Sequence, residues 1–128
     1  MVKTHYALLL MLLIALAALL GACSSGAPAP DDLTEQETQG MRLFTASCAA
    51  CHTTSGDSVI VGPPLAGIAY RAAERIPGQS ASEYLRTSIV EPDAYINEGF
   101  NDLMPKTFGS IFTDEEIDAL VAFLMTLE

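Results

Sequence analysis

Two cysteines and a histidine form the most chemically specific stretch of this sequence, Cys48-Ala49-Ala50-Cys51-His52. Two cysteines three positions apart are compatible with a redox dithiol, half of a zinc site or an attachment point for a covalent cofactor. Residues i and i+3 lie on the same side of a helical turn, so both sulfur atoms can face one partner. The histidine that follows the second cysteine distinguishes between these possibilities.

The rest of the sequence weakens two of the three interpretations. A thioredoxin-like dithiol accompanies a βαβ pattern, and no convincing strand alternation is present. A structural zinc ion needs four ligands, but the other cysteine and the other histidine, Cys23 and His5, both lie in the N-terminal segment. The pattern matches the attachment signature of a c-type haem. We therefore predict thioether bonds from Cys48 and Cys51 and iron coordination by His52.

The second axial ligand of this haem has to be a residue other than histidine. Met41 and Met125 lie in segments with helical patterns, whereas Met104 lies in an irregular loop before Pro105, and a loop can cross the opposite haem face. We predict His52 and Met104 as the iron ligands. The alternative is an open sixth position in a ligand-binding or peroxidase-like protein, although no spare histidine is present for distal acid/base chemistry.

The elements that position these residues are predicted to be helices. Three hydroxyl residues are each followed, three positions later, by a glutamate, which is the pattern of a capping box at a helix start. These pairs are Thr34 with Glu37, Ser80 with Glu83, and Thr113 with Glu116. They predict helices over 35–47, over 81–90 and from 114 to the C-terminus, and therefore an all-α fold.

The helices leave much of the domain irregular. The last helix carries a broad apolar face. Gly40 in the first helix has no side chain and lets another backbone approach closely, so we expect the first and last helices to cross there. Segments 53–79 and 91–110 are rich in glycine and proline and show no helical period. A domain of about 95 residues with so much loop has a small apolar core of its own. We therefore expect a large apolar group to fill its middle.

Residues 34–128 resemble the small class I cytochromes c. The resemblance depends on Gly40 and Phe44, the CAACH motif, GPPLAG at 62–67, LMP at 103–105 and LVAFL at 120–124. It implies a small cytochrome c fold, with crossing N- and C-terminal helices and loops wrapped around one covalent haem c with its iron. It also implies that the Pro63 carbonyl accepts a hydrogen bond from His52, that Leu65 packs on the haem, and that the protein transfers electrons rather than acting as an enzyme. The chain contains no tryptophan, so the resemblance identifies no propionate partners.

Residues 84–105 look more like the cytochrome domains that accompany bacterial terminal oxidases and other membrane respiratory complexes. This second resemblance implies membrane-bound redox partners. Candidates are a quinol-oxidising complex, a terminal oxidase or a photosynthetic reaction centre. It leaves open whether the protein is a tethered shuttle or a fixed subunit of such a complex.

The N-terminal segment has the layout of a secretory signal, with Lys3 followed by an apolar run over 7–20 and then small residues. Leu20-Gly21-Ala22-Cys23 resembles the lipobox of bacterial lipoproteins. We predict a signal peptide over 1–22, lipidation of Cys23, a flexible linker over 23–33 and a cytochrome c domain over 34–128. An uncleaved membrane helix is the alternative. Both interpretations place the domain at the extracytoplasmic, periplasmic face of the bacterial cytoplasmic membrane.

The charge of the chain excludes some partners. The sequence has six basic and sixteen acidic side chains, and removal of Lys3 with the signal leaves a net charge of −11. Such a surface argues against binding to nucleic acid or adhesion to anionic lipid by charge. Lys106 is then the one remaining lysine, so the ring of lysines by which mitochondrial relatives dock is absent.

Overall fold

A computed structural model describes residues 32–128, which contain five helices and no strand. We number the helices α1 (Glu35–Ser47), α2 (Ile68–Ala72), α3 (Ala81–Val90), α4 (Phe108–Ile111) and α5 (Asp114–Leu124). The predicted all-α fold is confirmed. The predicted signal peptide, Cys23 and most of the predicted linker lie outside the described residues. None of the described helices is both long and apolar enough to cross a membrane.

The three predicted helix starts are confirmed as capping boxes. Thr34, Ser80 and Thr113 each accept a hydrogen bond from the backbone N–H three residues later, at 3.2–3.3 Å. The glutamate at that position accepts in return from the N–H of the capping residue, at 2.7–2.9 Å. Each box satisfies two backbone donors that a helix start would otherwise leave without a partner.

The last helix is shorter than predicted, because it ends at Leu124 and not at the C-terminus. The N–H groups of Thr126 and Leu127 donate to carbonyls three residues back, at 3.0 and 3.2 Å, which tightens the chain into a turn. The turn buries Leu127, whose carbonyl accepts from the N–H of Ala69 at 3.2 Å. Packing of the C-terminal residues next to α2 therefore replaces continuation of the helix.

The short helices α2 and α4 correct the prediction that segments 53–79 and 91–110 are irregular. Helices of five and four residues are too short to form alone or to show a period in the sequence. Their contacts hold them instead, since Ala72 in α2 is fully buried and Phe108 in α4 is 8% exposed. Tertiary packing determines that these two helices form, and no local sequence pattern indicates it.

Helices α1 and α5 cross at Gly40, as predicted. A Cβ atom on Gly40 would lie 1.9 Å from the carbonyl oxygen of Ala119 and 2.8 Å from the Cβ of Phe123. One turn further along α1, the rings of Phe44 and Phe123 pack with their centroids 5.5 Å apart. The crossing therefore needs a residue without a side chain, and it fixes the end of α1, where the CAACH motif begins.

Two long connections complete the domain around the core of α1, α3 and α5. We call residues 52–67, between the CAACH motif and α2, the histidine loop, and residues 91–107, between α3 and α4, the methionine loop. Leu65 and Met104, one from each loop, are partly buried against the apolar core. The two loops and the core helices together enclose the candidate site.

Candidate functional site

An open cleft lies between the core and the two loops. It contains about 1330 Å³ of space that protein atoms do not fill, including its mouth. Its walls are mainly apolar, with contributions from Phe44, Ile68, Leu85, Ile89, Phe108, Leu120 and Leu124. All six residues predicted to contact the haem line this one cleft: Cys48, Cys51, His52, Pro63, Leu65 and Met104.

The two cysteines lie in a turn that continues from α1. The N–H of Cys48 donates to Phe44 O at 2.8 Å, and the N–H groups of Cys51 and His52 both donate to Cys48 O at 3.0 Å. Both thiols are free and partly buried. Burial, with a smaller contribution from Cys51, raises the pKa of the Cys48 thiol to about 11. A reactive dithiol needs a lowered thiol pKa, and burial acts in the opposite direction at Cys48.

The imidazole of His52 is oriented by the backbone of the histidine loop. Its Nδ1 lies 2.8 Å from the carbonyl oxygen of Pro63. Because a carbonyl can only accept, Nδ1 is the donor, and Nε2 of the neutral ring keeps a lone pair for a metal. This is the contact that the family resemblance implies for Pro63, and such a bond fixes the ring and raises its basicity.

Gly62 makes room for this imidazole. A Cβ atom on Gly62 would lie 2.3 Å from Cε1 of His52 and 2.8 Å from each ring nitrogen. Gly62 belongs to the GPPLAG motif, but the motif alone does not predict this contact. The contact depends on the loop folding back over ten residues, which no local pattern reports.

Backbone hydrogen bonds fold the histidine loop onto the CAACH turn. Gly62 N–H donates to Cys51 O at 2.9 Å, and Leu65 N–H donates to Thr53 O at 2.7 Å. These bonds join residues eleven and twelve positions apart. They hold Pro63 where its carbonyl meets the histidine ring.

Arg71 supports the same loop from α2, and sequence reasoning missed it. Its guanidinium donates to Pro64 O at 2.8 Å and also to Ala66 O. An arginine inside a five-residue helix has no periodic context that would have identified it. Its contacts with two loop carbonyls nevertheless make it part of the frame that holds His52.

Met104 is the one methionine in the described range that lines the cleft. It is partly buried and packs against the core cluster. Met41 also packs against that cluster but does not line the cleft, and Met125 is 36% exposed. The cleft therefore contains an imidazole and one thioether, while coordination of iron by His52 and Met104 stays a prediction.

The residues present fit a covalent haem. The cleft offers two thiols one turn apart, an imidazole with one nitrogen already bonded, a methionine sulfur and apolar walls. Arg71 and Arg75 are the two cationic side chains that line it. Arginine binds carboxylates well, so these two residues are the candidates to pair with the haem propionates, for which the sequence had identified no partners.

The comparison with protein families agrees with this fit. The model of the family described as Cytochrome c matches residues 26–128, which is most of the chain. No individual curated protein matches the sequence.

Proposed function

Because this chain belongs to the cytochrome c family, we propose that it is an extracytoplasmic, membrane-anchored electron carrier with His52 and Met104 as its iron ligands. The family binds haem c covalently, and Cys48 and Cys51 stand at the positions of its CXXCH motif. Its members transfer electrons and are generally not enzymes. The bound haem supplies a one-electron Fe(II)/Fe(III) couple.

The observation that carries the assignment of ligands is the bond between His52 Nδ1 and Pro63 O, in a cleft that also contains Met104. A ring fixed by the backbone changes position little when the charge of the iron changes. A methionine sulfur as second ligand favours the ferrous state relative to a second imidazole and so raises the reduction potential. Both features suit a carrier that gains and loses electrons with little rearrangement.

Spectra of the purified holo-protein test this assignment. We expect the ferric form to show a methionine-to-iron absorption band, and the ferrous form to take up little carbon monoxide, because its sixth position is filled. A ferric spectrum without that band, together with tight binding of carbon monoxide, would support the alternative of an open-site, ligand-binding or peroxidase-like protein.

The proposed anchor is the lipid on Cys23, and its support comes from the sequence. Eleven residue steps separate Cys23 from Thr34, and a fully extended chain of that length spans at most roughly 35 to 40 Å. The haem domain would stay close to the membrane, where confinement raises its effective concentration near membrane-bound partners. Those partners would be a quinol-oxidising complex, a terminal oxidase or a photosynthetic reaction centre, reached as a tethered shuttle or as a fixed subunit.

Release of the domain from the membrane tests the anchor. The variant Cys23→Ser, expressed behind an ordinary cleavable signal, should give a soluble haem protein with a normal spectrum that supports membrane electron flow poorly at native abundance. Ser24→Ala, which keeps Cys23, is the control and should retain full electron flow. Full electron flow from the soluble form would contradict tethering and indicate specific docking within a complex.

A further inference from the structure

The methionine loop has few connections to the rest of the domain. In the described structure, every backbone hydrogen bond made by residues 92–106 joins residues two or three positions apart. They run from Ala94 N–H to Glu91 O, from Phe100 N–H to Asn97 O, and from Leu103 N–H to Asn101 O, at 2.9–3.1 Å. Within residues 32–128, no backbone bond therefore holds the part of the loop that contains Met104 against another element.

Side chains instead connect the segment around Met104 to the start of the loop. Lys106 Nζ lies 2.9 Å from Asp93 Oδ2 and 2.8 Å from Asp102 Oδ2. Asp102 precedes Met104 by two residues and Lys106 follows it by two, so their contact closes the chain around the methionine. Asp93 follows Pro92, which is buried directly after α3. Through Asp93, the short segment around Met104 is bound to the start of the loop, next to the buried Pro92.

We propose that Lys106 is a positioning residue that holds Met104 in place by binding Asp93 and Asp102 at the same time. The proposal rests on the proposed role of Met104 as an iron ligand. Without the ammonium group the segment would lose two contacts, and two neighbouring carboxylates would repel each other. By holding both carboxylates, Lys106 would limit how often Met104 leaves the iron.

The exposure of these groups separates this role from a contribution to global stability. Lys106, Asp93 and Asp102 have side chains that are 52%, 51% and 36% exposed. Ion pairs of this kind contribute little to the stability of a whole domain. Local opening of a loop has a much smaller free-energy cost than unfolding, so the same contacts can dominate the opening of the methionine loop.

The chain offers a matched control in Arg86. Its guanidinium also binds two aspartates, Asp114 and Asp118 of α5, and it is 38% exposed. Arg86 lies in α3 and makes no contact with the methionine loop among the described hydrogen bonds. Arg86→Met therefore removes a cation with two carboxylate partners while leaving the surroundings of Met104 unchanged.

The test is the rate at which imidazole replaces Met104 on the ferric holo-protein, followed by the loss of the methionine-to-iron band after rapid mixing. Lys106→Met should accelerate replacement about three- to tenfold, the range expected for two partly exposed pairs, with little change in melting temperature. Lys106→Arg should restore a rate near that of the wild type. Asp93→Asn should accelerate replacement by a smaller factor, because it removes one carboxylate and leaves Asp102 bound.

The ionic strength and the control variant Arg86→Met separate the proposed role of Lys106 from a general effect of losing an ion pair. Raising the ionic strength should accelerate replacement in the wild type but not in Lys106→Met, and Arg86→Met should keep the wild-type rate even if it melts earlier. Equal rates in Lys106→Met and the wild type, or equal acceleration by Arg86→Met, would overturn the role of Lys106 and leave Met104 as a ligand. A wild-type protein without the methionine band would overturn both assignments.

Discussion

The histidine loop and the methionine loop line the same cleft but are held by different means. In the histidine loop, backbone bonds over eleven and twelve residues and two bonds from Arg71 fix the chain. In the methionine loop, backbone bonds are local, and the longer connections are the side-chain contacts of Lys106 and Asn97. The proposed ligand His52 is thus held by a hydrogen-bonded backbone, and the proposed ligand Met104 lies in a chain held by a few side-chain contacts.

This difference predicts which ligand can be exchanged. Regions with few non-local hydrogen bonds open at low free-energy cost, so Met104 is the ligand that we expect to leave first. It also predicts how each loop fails. A backbone network tolerates loss of a side chain but not an added atom where the backbone approaches the ring, whereas the methionine loop depends on individual side chains.

Met104→Ala removes the proposed exchangeable ligand and should have the largest effect. Covalent haem should remain, because Cys48 and Cys51 are unchanged, while the methionine-to-iron band disappears and small ligands bind more tightly. The reduction potential should fall by on the order of 100 mV, since axial ligands set haem potentials over about 0.8 V. Absorption spectroscopy and redox titration measure both changes.

Met125→Ala is the control for this variant, because Met125 lies outside the cleft and is partly exposed. It should keep the band and the potential of the wild type. If Met104→Ala leaves the spectrum unchanged, another group occupies the sixth position and the contrast between the two loops does not concern iron ligation.

Gly62→Ala should have the next largest effect, and it acts on the histidine loop. The new methyl group would lie 2.3 Å from Cε1 of His52, so the ring has to move and its bond to Pro63 O is lost or lengthened. Overpacking of this kind costs about 1–3 kcal/mol. We expect a lower melting temperature, together with a higher potential, because an imidazole without this bond is a weaker donor and stabilises the ferric state less.

Gly56→Ala separates the movement of the ring from loss of stability. Gly56 belongs to the same loop and has a φ of 64°, but no atom lies within 4 Å of an added Cβ. The substitution should therefore strain the backbone without touching His52, lowering stability and leaving the potential unchanged. A potential that shifts equally in both variants would mean that Gly62 has no special relation to the ring.

The contrast between the loops also explains what could be predicted from sequence. Helix starts such as Ser80 with Glu83 are local patterns, and the CAACH motif is contiguous, so both could be predicted from the sequence. The contact of Gly62 with His52 and that of Lys106 with Asp93 depend on how loops fold back, and α2 and α4 exist because packing buries them. Local chemistry predicted α1, α3, the start of α5 and the candidate ligands, whereas non-local contacts determine the short helices and how each candidate ligand is held.

Tyr84→Phe should give the smallest effect, because it removes one neutral hydrogen bond from the methionine loop. The Tyr84 hydroxyl accepts from Nδ2 of Asn97 at 3.2 Å, and the ring packs edge-on against Tyr95 with centroids 5.7 Å apart. Phenylalanine keeps that packing, so stability should fall by only about 0.5–1.5 kcal/mol, the net value of a typical hydrogen bond.

The stability lost in Tyr84→Phe should appear mainly in the opening of the methionine loop. If the methionine loop is held by side chains, Tyr84→Phe should accelerate replacement of Met104 by imidazole by about two- to fivefold, within the limit that one such bond allows. Because the contact is uncharged, and unlike that of Lys106, the acceleration should persist at high salt. Tyr95→Leu, which removes the edge-on ring but leaves the Tyr84 hydroxyl and Asn97, is the control for packing alone. Faster exchange in that variant but not in Tyr84→Phe would show that apolar contacts, and not polar side chains, hold the methionine loop.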